Sequence, residues 1–141
     1  MSKDWVLDLR TMHDHYEFHE ALDKMDKTDP ELLQKFLKFR LAFMREEMAE
    51  LVSAVELEDA EEVVDALIDI CVVAIGTLDL FEVDAHSAWE EVLRANMSKR
   101  KGIKPGRPNP LGLPDLMKPE GWTSPNHAGN HGLLSTAFDV L

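Results

Sequence analysis

Glycine and proline are spread so unevenly along the chain that they set its architecture before any other residue is considered. Of seven prolines and seven glycines, only Pro30 and Gly76 precede residue 100, and all the others fall between Gly102 and Gly132. Proline removes a helical hydrogen bond and glycine lowers helix propensity, so a long stretch nearly free of both can run as helix. The expectation is an all-α chain, with an antiparallel helical bundle over residues 1–100 and an irregular Pro/Gly-rich extension over residues 101–141. The extension carries Leu111, Leu113, Leu116, Met117 and Trp122. That content suits wrapping over the domain or a neighbouring subunit, with a disordered linker as the alternative.

Hydrophobic spacing divides the first part into four helices. Trp5, Leu9, Met12, Tyr16 and Leu22 mark helix one. Asp29 and Pro30 supply a cap and a first-turn proline, and Leu33, Phe36, Leu37, Leu41, Met44, Met48, Leu51 and Val55 extend helix two over about residues 30–57. Asp59-Ala60-Glu61-Glu62 reads as a capping box, with Glu62 reaching back, before a helix three apolar on nearly every side and hence buried. Its one glycine, Gly76, costs up to about 1 kcal/mol relative to alanine and suggests close approach of another helix. Asp84 can cap helix four, which carries Trp89, Val92, Leu93 and Met97 and ends at Lys99-Arg100-Lys101. Residues 133–141 suit a short helix or strand. Because one hairpin cannot cover both faces of helix three, the bundle is expected to be completed as a homodimer or a dimer of dimers.

With 27 acids against 15 bases and a formal charge of −12, the chain is expected to repel nucleic acid rather than bind it. Its most apolar stretch, residues 63–81, is broken by Asp65, Asp69 and Asp79, and MSKDWVLDLR has no continuous apolar core of a leader. A soluble cytoplasmic protein without a membrane partner is expected. The single cysteine, Cys71, reads as a small core residue.

Between Glu46 and Asp69 there are ten acids and no lysine or arginine. Glu46, Glu47 and Glu50 lie three or four residues apart on helix two, where like charges repel by a few tenths of a kcal/mol per pair, ~0.2–0.5. A solvated acidic face is the ordinary meaning of such a run. The hairpin argues for more: if helices two and three pack antiparallel about a turn near Glu58, residues whose numbers total roughly 116 share a height. Glu47 then faces Asp69, Glu50 faces Asp65 or Ala66, and Glu62, Asp65 and Asp69 share one face of helix three. Carboxylates brought together at an apolar interface need protons or a metal, and an all-oxygen ligand set suits Mg²⁺ or Mn²⁺ better than Zn²⁺.

Glu46-Glu47-Met48-Ala49-Glu50 followed by Glu62-Val63-Val64-Asp65-Ala66-Leu67-Ile68-Asp69 resembles the EExxE and ExxD motifs of the MazG-like all-α nucleoside triphosphate pyrophosphohydrolases. Ala74-Ile75-Gly76-Thr77, Asn96-Met97-Ser98-Lys99 and Lys118-Pro119-Glu120-Gly121-Trp122 extend the likeness, which spans residues 37–122. It is similar to the small phage and bacterial branch also described as phosphoribosyl-ATP pyrophosphatase-like, which would place the protein in a host cytoplasm if phage-encoded. The resemblance implies Mg²⁺-dependent hydrolysis of a nucleoside or deoxynucleoside triphosphate between its α and β phosphates, giving a monophosphate and pyrophosphate. Phosphoribosyl-ATP is the alternative substrate.

Carried onto this chain, the resemblance makes Glu47, Glu50 and Asp69 metal ligands, with Asp65 replacing a glutamate that the family often has at Ala66. Glu46 is the residue that would orient or deprotonate water. The ExxD motif fits two registers, so Glu62 is left to hold a second ion, act through water or cap its helix. Asn96 and Lys99 match the family's phosphate- and sugar-contacting pair. The basic cluster Arg94, Lys99, Arg100 and Lys101 would supply positive charge to the distal phosphates, although basic residues also suit a helix C-terminus, and Lys118 lies in the further matching segment 118–122. Trp122 either covers the base or staples the extension to the domain.

Other chemistries find less support. His13, His15 and His19 lie in helix one at spacings of two and four, so on a continuous helix only His15 and His19 can share a metal, and all three read as surface or substrate-edge residues. No Glu-x-x-His follows the carboxylate motifs, which argues against a di-iron bundle. Walker-type phosphate loops, Cys-x-x-Cys and Gly-x-Ser-x-Gly are absent from the sequence. A noncatalytic acidic adaptor for a basic partner is the reading from another class.

Overall fold

A computed structural model describes residues 3–138 and contains helices α1 (Trp5–His15), α2 (Phe18–Asp23), α3 (Pro30–Glu56), α4 (Ala60–Leu80), α5 (Ala85–Met97) and α6 (Leu134–Ala137). A short antiparallel ribbon pairs β1 (Arg100–Gly102) with β2 (Asp115–Met117). The all-α class expected from the sequence holds. Among the described residues, no helix is long and apolar enough to cross a membrane. The chain divides into two compact units, one of residues 1–85 with 129–141 and the other of residues 86–128.

The first unit is built on the α3–α4 hairpin. Asp29 accepts backbone hydrogen bonds from Glu31 and Leu32, and Pro30 opens α3. Glu58, at φ 54°, turns the chain in the left-handed region, and Asp59 then caps α4 by accepting the Glu62 N–H at 3.2 Å. The Asp59 N–H goes to the Ala54 carbonyl rather than to a reciprocal Glu62 side chain. The core gathers at the opposite end of the hairpin, where Leu22, Leu33, Leu80, Phe81, Val83, Leu133 and Ala137 are buried together. Such a placement leaves the turn end, with its acids, facing water.

The reading of helix one needs correction. Helix one does not run through residue 22: Tyr16 ends α1, Glu17 adopts φ 62°, and α2 starts at Phe18 in a new direction. Its buried positions are Leu9 and His13, while Trp5, Met12 and Tyr16 of the expected stripe are exposed. Within one chain α4 keeps an open face, as expected if one hairpin cannot cover both sides of it: Val64 is 63%, Leu67 49% and Ile68 46% exposed. Gly76 does mark a close approach: a Cβ there would lie 3.0 Å from Arg40 Nη2 of α3 and 3.2 Å from His13 Cε1 of α1.

The end of the chain returns to the first unit. Asn130 accepts the Asp84 N–H through its side-chain oxygen and donates through Nδ2 to the Asp84 carbonyl, both at 2.8 Å. Gly132, at φ 52°, lies against the Phe81 carbonyl and the Glu82 backbone, so that Leu133 N–H can donate to Phe81 O at 2.7 Å. The short helix α6 follows, and Gln34 donates to the Ala137 carbonyl. Of the segment 133–141 expected to form a short element, residues 139–141 lie outside the described residues, as do Met1 and Ser2.

In the second unit, α5 ends at Met97, so Arg100 and Lys101 belong to β1 and only Arg94 stands in the last helical turn. The ribbon went unread in the sequence because its strands are three residues each, too short for an alternating pattern. Buried Asp115 ties the connection down by accepting the Lys104 N–H at 2.9 Å.

Candidate functional site

The facing sides of α3 and α4 form a ladder. Phe36 stacks on Phe81 with ring centres 5.0 Å apart. One turn on, the half-buried Arg40 guanidinium donates through Nε to Thr77 Oγ1 at 3.0 Å and through Nη2 to the Val73 carbonyl at 3.2 Å. Two turns further, Glu47 lies within the electrostatic reach of Asp69. Each rung joins residues whose numbers total roughly 116, so the antiparallel heights read from the sequence hold along the hairpin.

At the Glu47 rung the environment is hostile to a free carboxylate. Burial pushes the Glu47 carboxyl above its ordinary range, and the charges of Glu50, Asp69 and Glu46 push it further in the same direction. The neighbouring Glu50 carboxyl adds to this in the same direction. Glu47 Oε2 is shut off from solvent and has no hydrogen-bonding partner. A buried acceptor without a donor, surrounded by acids, is the environment that a hard divalent cation would relieve. The residues therefore fit Mg²⁺ or Mn²⁺. Glu46, Glu50, Asp65 and Glu62 are exposed, and Glu62 has its backbone N–H committed to the Asp59 cap.

Among the described residues, the ligand-type atoms that come within 4.8 Å of one another belong to a different group: His13 of α1, His19 of α2 and Asp79 of α4. Asp79 Oδ2 lies 2.6 Å from both His13 Nδ1 and His19 Nε2, while Asp79 Oδ1 lies 3.4 Å from Arg10 Nε. His19 Nδ1 is 2.5 Å from Asp14 Oδ1. Burial alone would push the Asp79 carboxyl up, but the hydrogen bonds from His13 and His19, reinforced by their charge, hold it below its ordinary value. The hydrogen bond to Asp14 raises His19, against burial and with help from Asp79. This cluster corrects the reading of the histidines. His13 is buried, and the partner of His19 is His13 rather than His15, because the left-handed turn at Glu17 breaks the helical spacing on which the pairing rested.

A further feature escaped the sequence. Phe18, Phe36, Phe39, Phe43, Met25 and Leu80 line an apolar cavity of about 340 Å³ with Arg40 as its one charged wall residue. The Phe36, Arg40, Phe43, Glu47 spacing along α3 was the available signal. Phe43 stands one helical turn, ~6 Å along the axis, from Glu47.

The remaining candidates belong to the second unit. Trp122 donates its indole N–H to the Ala95 carbonyl at 2.7 Å, and the Lys99 and Lys118 ammonium groups lie 5.4 and 4.8 Å from its ring centre. Asn96 accepts from Lys99 at 3.1 Å. Arg94 is engaged by Glu91, Thr123 and the Ser124 carbonyl.

The hairpin with its acidic rung lies inside residues 15–96, which match the family model described as phosphoribosyl-ATP pyrophosphohydrolase. A comparison with curated proteins returns no match. With more than half of the chain matched and an all-α fold, the protein belongs to the phosphoribosyl-ATP pyrophosphohydrolase family, within the MazG-like group of nucleotide pyrophosphohydrolases.

Proposed function

We propose that the protein is a Mg²⁺-dependent nucleoside triphosphate pyrophosphohydrolase that converts a ribo- or deoxynucleoside triphosphate to its monophosphate and pyrophosphate. The observation that carries this reading is the solvent-excluded, unpartnered Oε2 of Glu47 among Glu46, Glu50 and Asp69. Glu47, Glu50 and Asp69 are the proposed ligands, with Asp65 and Glu62 as further carboxylates on the same hairpin. Bound Mg²⁺, or Mn²⁺ in its place, supplies positive charge for the polyphosphate and lowers the pKa of bound water. Glu46 accepts the proton of the water that attacks the α phosphorus, and the bond to the β phosphate breaks to release pyrophosphate. The apolar cavity one turn along α3 is of a size and character to receive a base. Asn96, Lys99, Lys118 and Trp122 remain proposed substrate contacts on the strength of the motif match, and Arg94 as a member of the basic cluster beside them.

Phosphoribosyl-ATP is a second reading, favoured by the description of the matching family model. It uses the same bond cleavage and the same carboxylates. Two chains or four are proposed as the working assembly. The support is apolar surface at equal heights on the hairpin, where Met48 stands level with Ile68 and Val52 with Val64, all exposed.

Each nucleoside triphosphate, its deoxy form and phosphoribosyl-ATP should be incubated with the protein and Mg²⁺, and the products separated by chromatography. Monophosphate and pyrophosphate, lost in Glu50→Ala, are expected, and the substrate cleaved fastest selects between the two readings. No cleavage of any of them, together with thermal stability indifferent to Mg²⁺, would leave the acidic adaptor as the better account.

A further inference from the structure

We propose that His13, His19 and Asp79 form a second metal centre, separate from the carboxylate rung, that binds a nitrogen-preferring transition ion of the Zn²⁺ class. Two imidazole nitrogens and a carboxylate oxygen are a ligand set for such ions, whereas the all-oxygen rung suits Mg²⁺. The three ligand atoms already converge within 4.8 Å, each from a different helix. With bonds of ~2.0–2.2 Å, one ion can reach all three after small side-chain adjustments.

The arrangement is built rather than incidental. On one continuous helix, residues six apart point to different faces, so positions 13 and 19 would diverge by roughly 120°. The left-handed backbone of Glu17, a conformation that side chains other than glycine rarely adopt, redirects α2 so that His19 meets His13 on the same Asp79 oxygen. The His13 side chain is 2% and the Asp79 side chain 6% exposed, so two of the three ligands are held in a nearly water-free wall.

The surroundings match those of a metal centre. Asp14 sits on His19 Nδ1, the nitrogen away from Asp79, and so holds the ring with Nε2 turned toward Asp79, where an ion would take the place of the Nε2 proton. Carboxylates in that outer position commonly orient metal-binding imidazoles. Three protein ligands leave coordination positions open, and a cavity of about 450 Å³ bounded by Arg10, His19, Asp79, Asp23 and Glu82 lies beside them. Water entering it would complete the shell, since the acids Asp23, Glu82 and Asp84 on the cavity wall disfavour an anion there.

The test is a titration of metal-free protein with Co²⁺ in the presence of excess Mg²⁺, followed by visible absorption and by metal content. The expected result is one equivalent giving the intense bands of a four- or five-coordinate site, retained in Glu47→Gln and lost in His19→Gln. His19 is partly exposed, and unchanged far-ultraviolet circular dichroism would show that this variant folds. Asp14→Asn provides a milder probe, with Co²⁺ affinity expected to fall ~10–100-fold through loss of the outer carboxylate. Absence of the bands from the unaltered protein, bands lost in Glu47→Gln but not in His19→Gln, or an unchanged affinity in Asp14→Asn would each overturn the proposal.

Discussion

Glu47 is a residue whose worth depends on what it binds. Its carboxyl is raised first by burial and then by Glu50, Asp69 and Glu46, so without a cation it works against the fold. Glu47→Gln should raise the melting temperature by a few degrees in chelator and abolish the gain on adding Mg²⁺, an exchange of stability for function that differential scanning calorimetry with and without Mg²⁺ reads directly. His19 and Asp79 give a second expectation at this scale. His19 binds its proton more tightly in the folded chain, so its contribution is complete below its ordinary value of 6.5 and disappears as pH rises through the higher folded value. Asp79 has the opposite sign: its contribution is present above its ordinary value of 3.8 and is lost as pH falls through the lowered folded value. Chelator-treated protein should therefore be most stable between these limits, and His19→Gln should flatten the alkaline side of a plot of melting temperature against pH.

Among the elements, what was legible in the sequence follows from how each one ends. α3 and α4 begin at Asp29-Pro30 and Asp59, side chains that declare a helix start, and their boundaries and mutual heights were readable. The break at residue 17 was not, because the chain stops α1 with a glutamate in the left-handed conformation where glycine would have been the signal. One unread turn hid the His13–His19 pair, although the acidic rung on the readable hairpin was found. The partly open face of α4 was legible too, since an apolar helix in a single hairpin has more surface than its one partner helix can cover. The closing segment carries the clearest prediction here. A Cβ on Gly132 would collide with the Phe81 carbonyl and the Glu82 backbone, neither of which can swing aside as a side chain does, and the residue's φ of 52° adds strain. Gly132→Ala should cost at least about 2 kcal/mol and release α6, measured as a lower urea midpoint and faster proteolysis near the C-terminus.

At the scale of the whole molecule, the charge of −12 is concentrated where the proposed chemistry lies, since ten acids without a base occupy residues 46–69. A polyphosphate approaching that region is repelled until cations accompany it, which makes the divalent ion part of substrate recognition as well as of chemistry. The latch between Asp84 and Asn130 has a different kind of consequence. Those residues are 46 positions apart in sequence yet joined backbone to side chain in both directions, so the chain leaves the first unit and re-enters it at nearly the same point. Topologically, residues 86–128 lie between two stretches of the first unit whose ends meet at this latch. A loop of that length costs about 2 kcal/mol more to close than one of six residues, following the logarithmic growth of closure entropy. Joining residue 85 to residue 129 through a short glycine linker should give a protein that still unfolds cooperatively and still binds Mg²⁺, whereas loss of cooperative unfolding would contradict the insertion reading. For evolution the same geometry means that the helical hairpin is a socket: the segment between Asp84 and Asn130 can be exchanged or lengthened while the carboxylates on α3 and α4 keep their places.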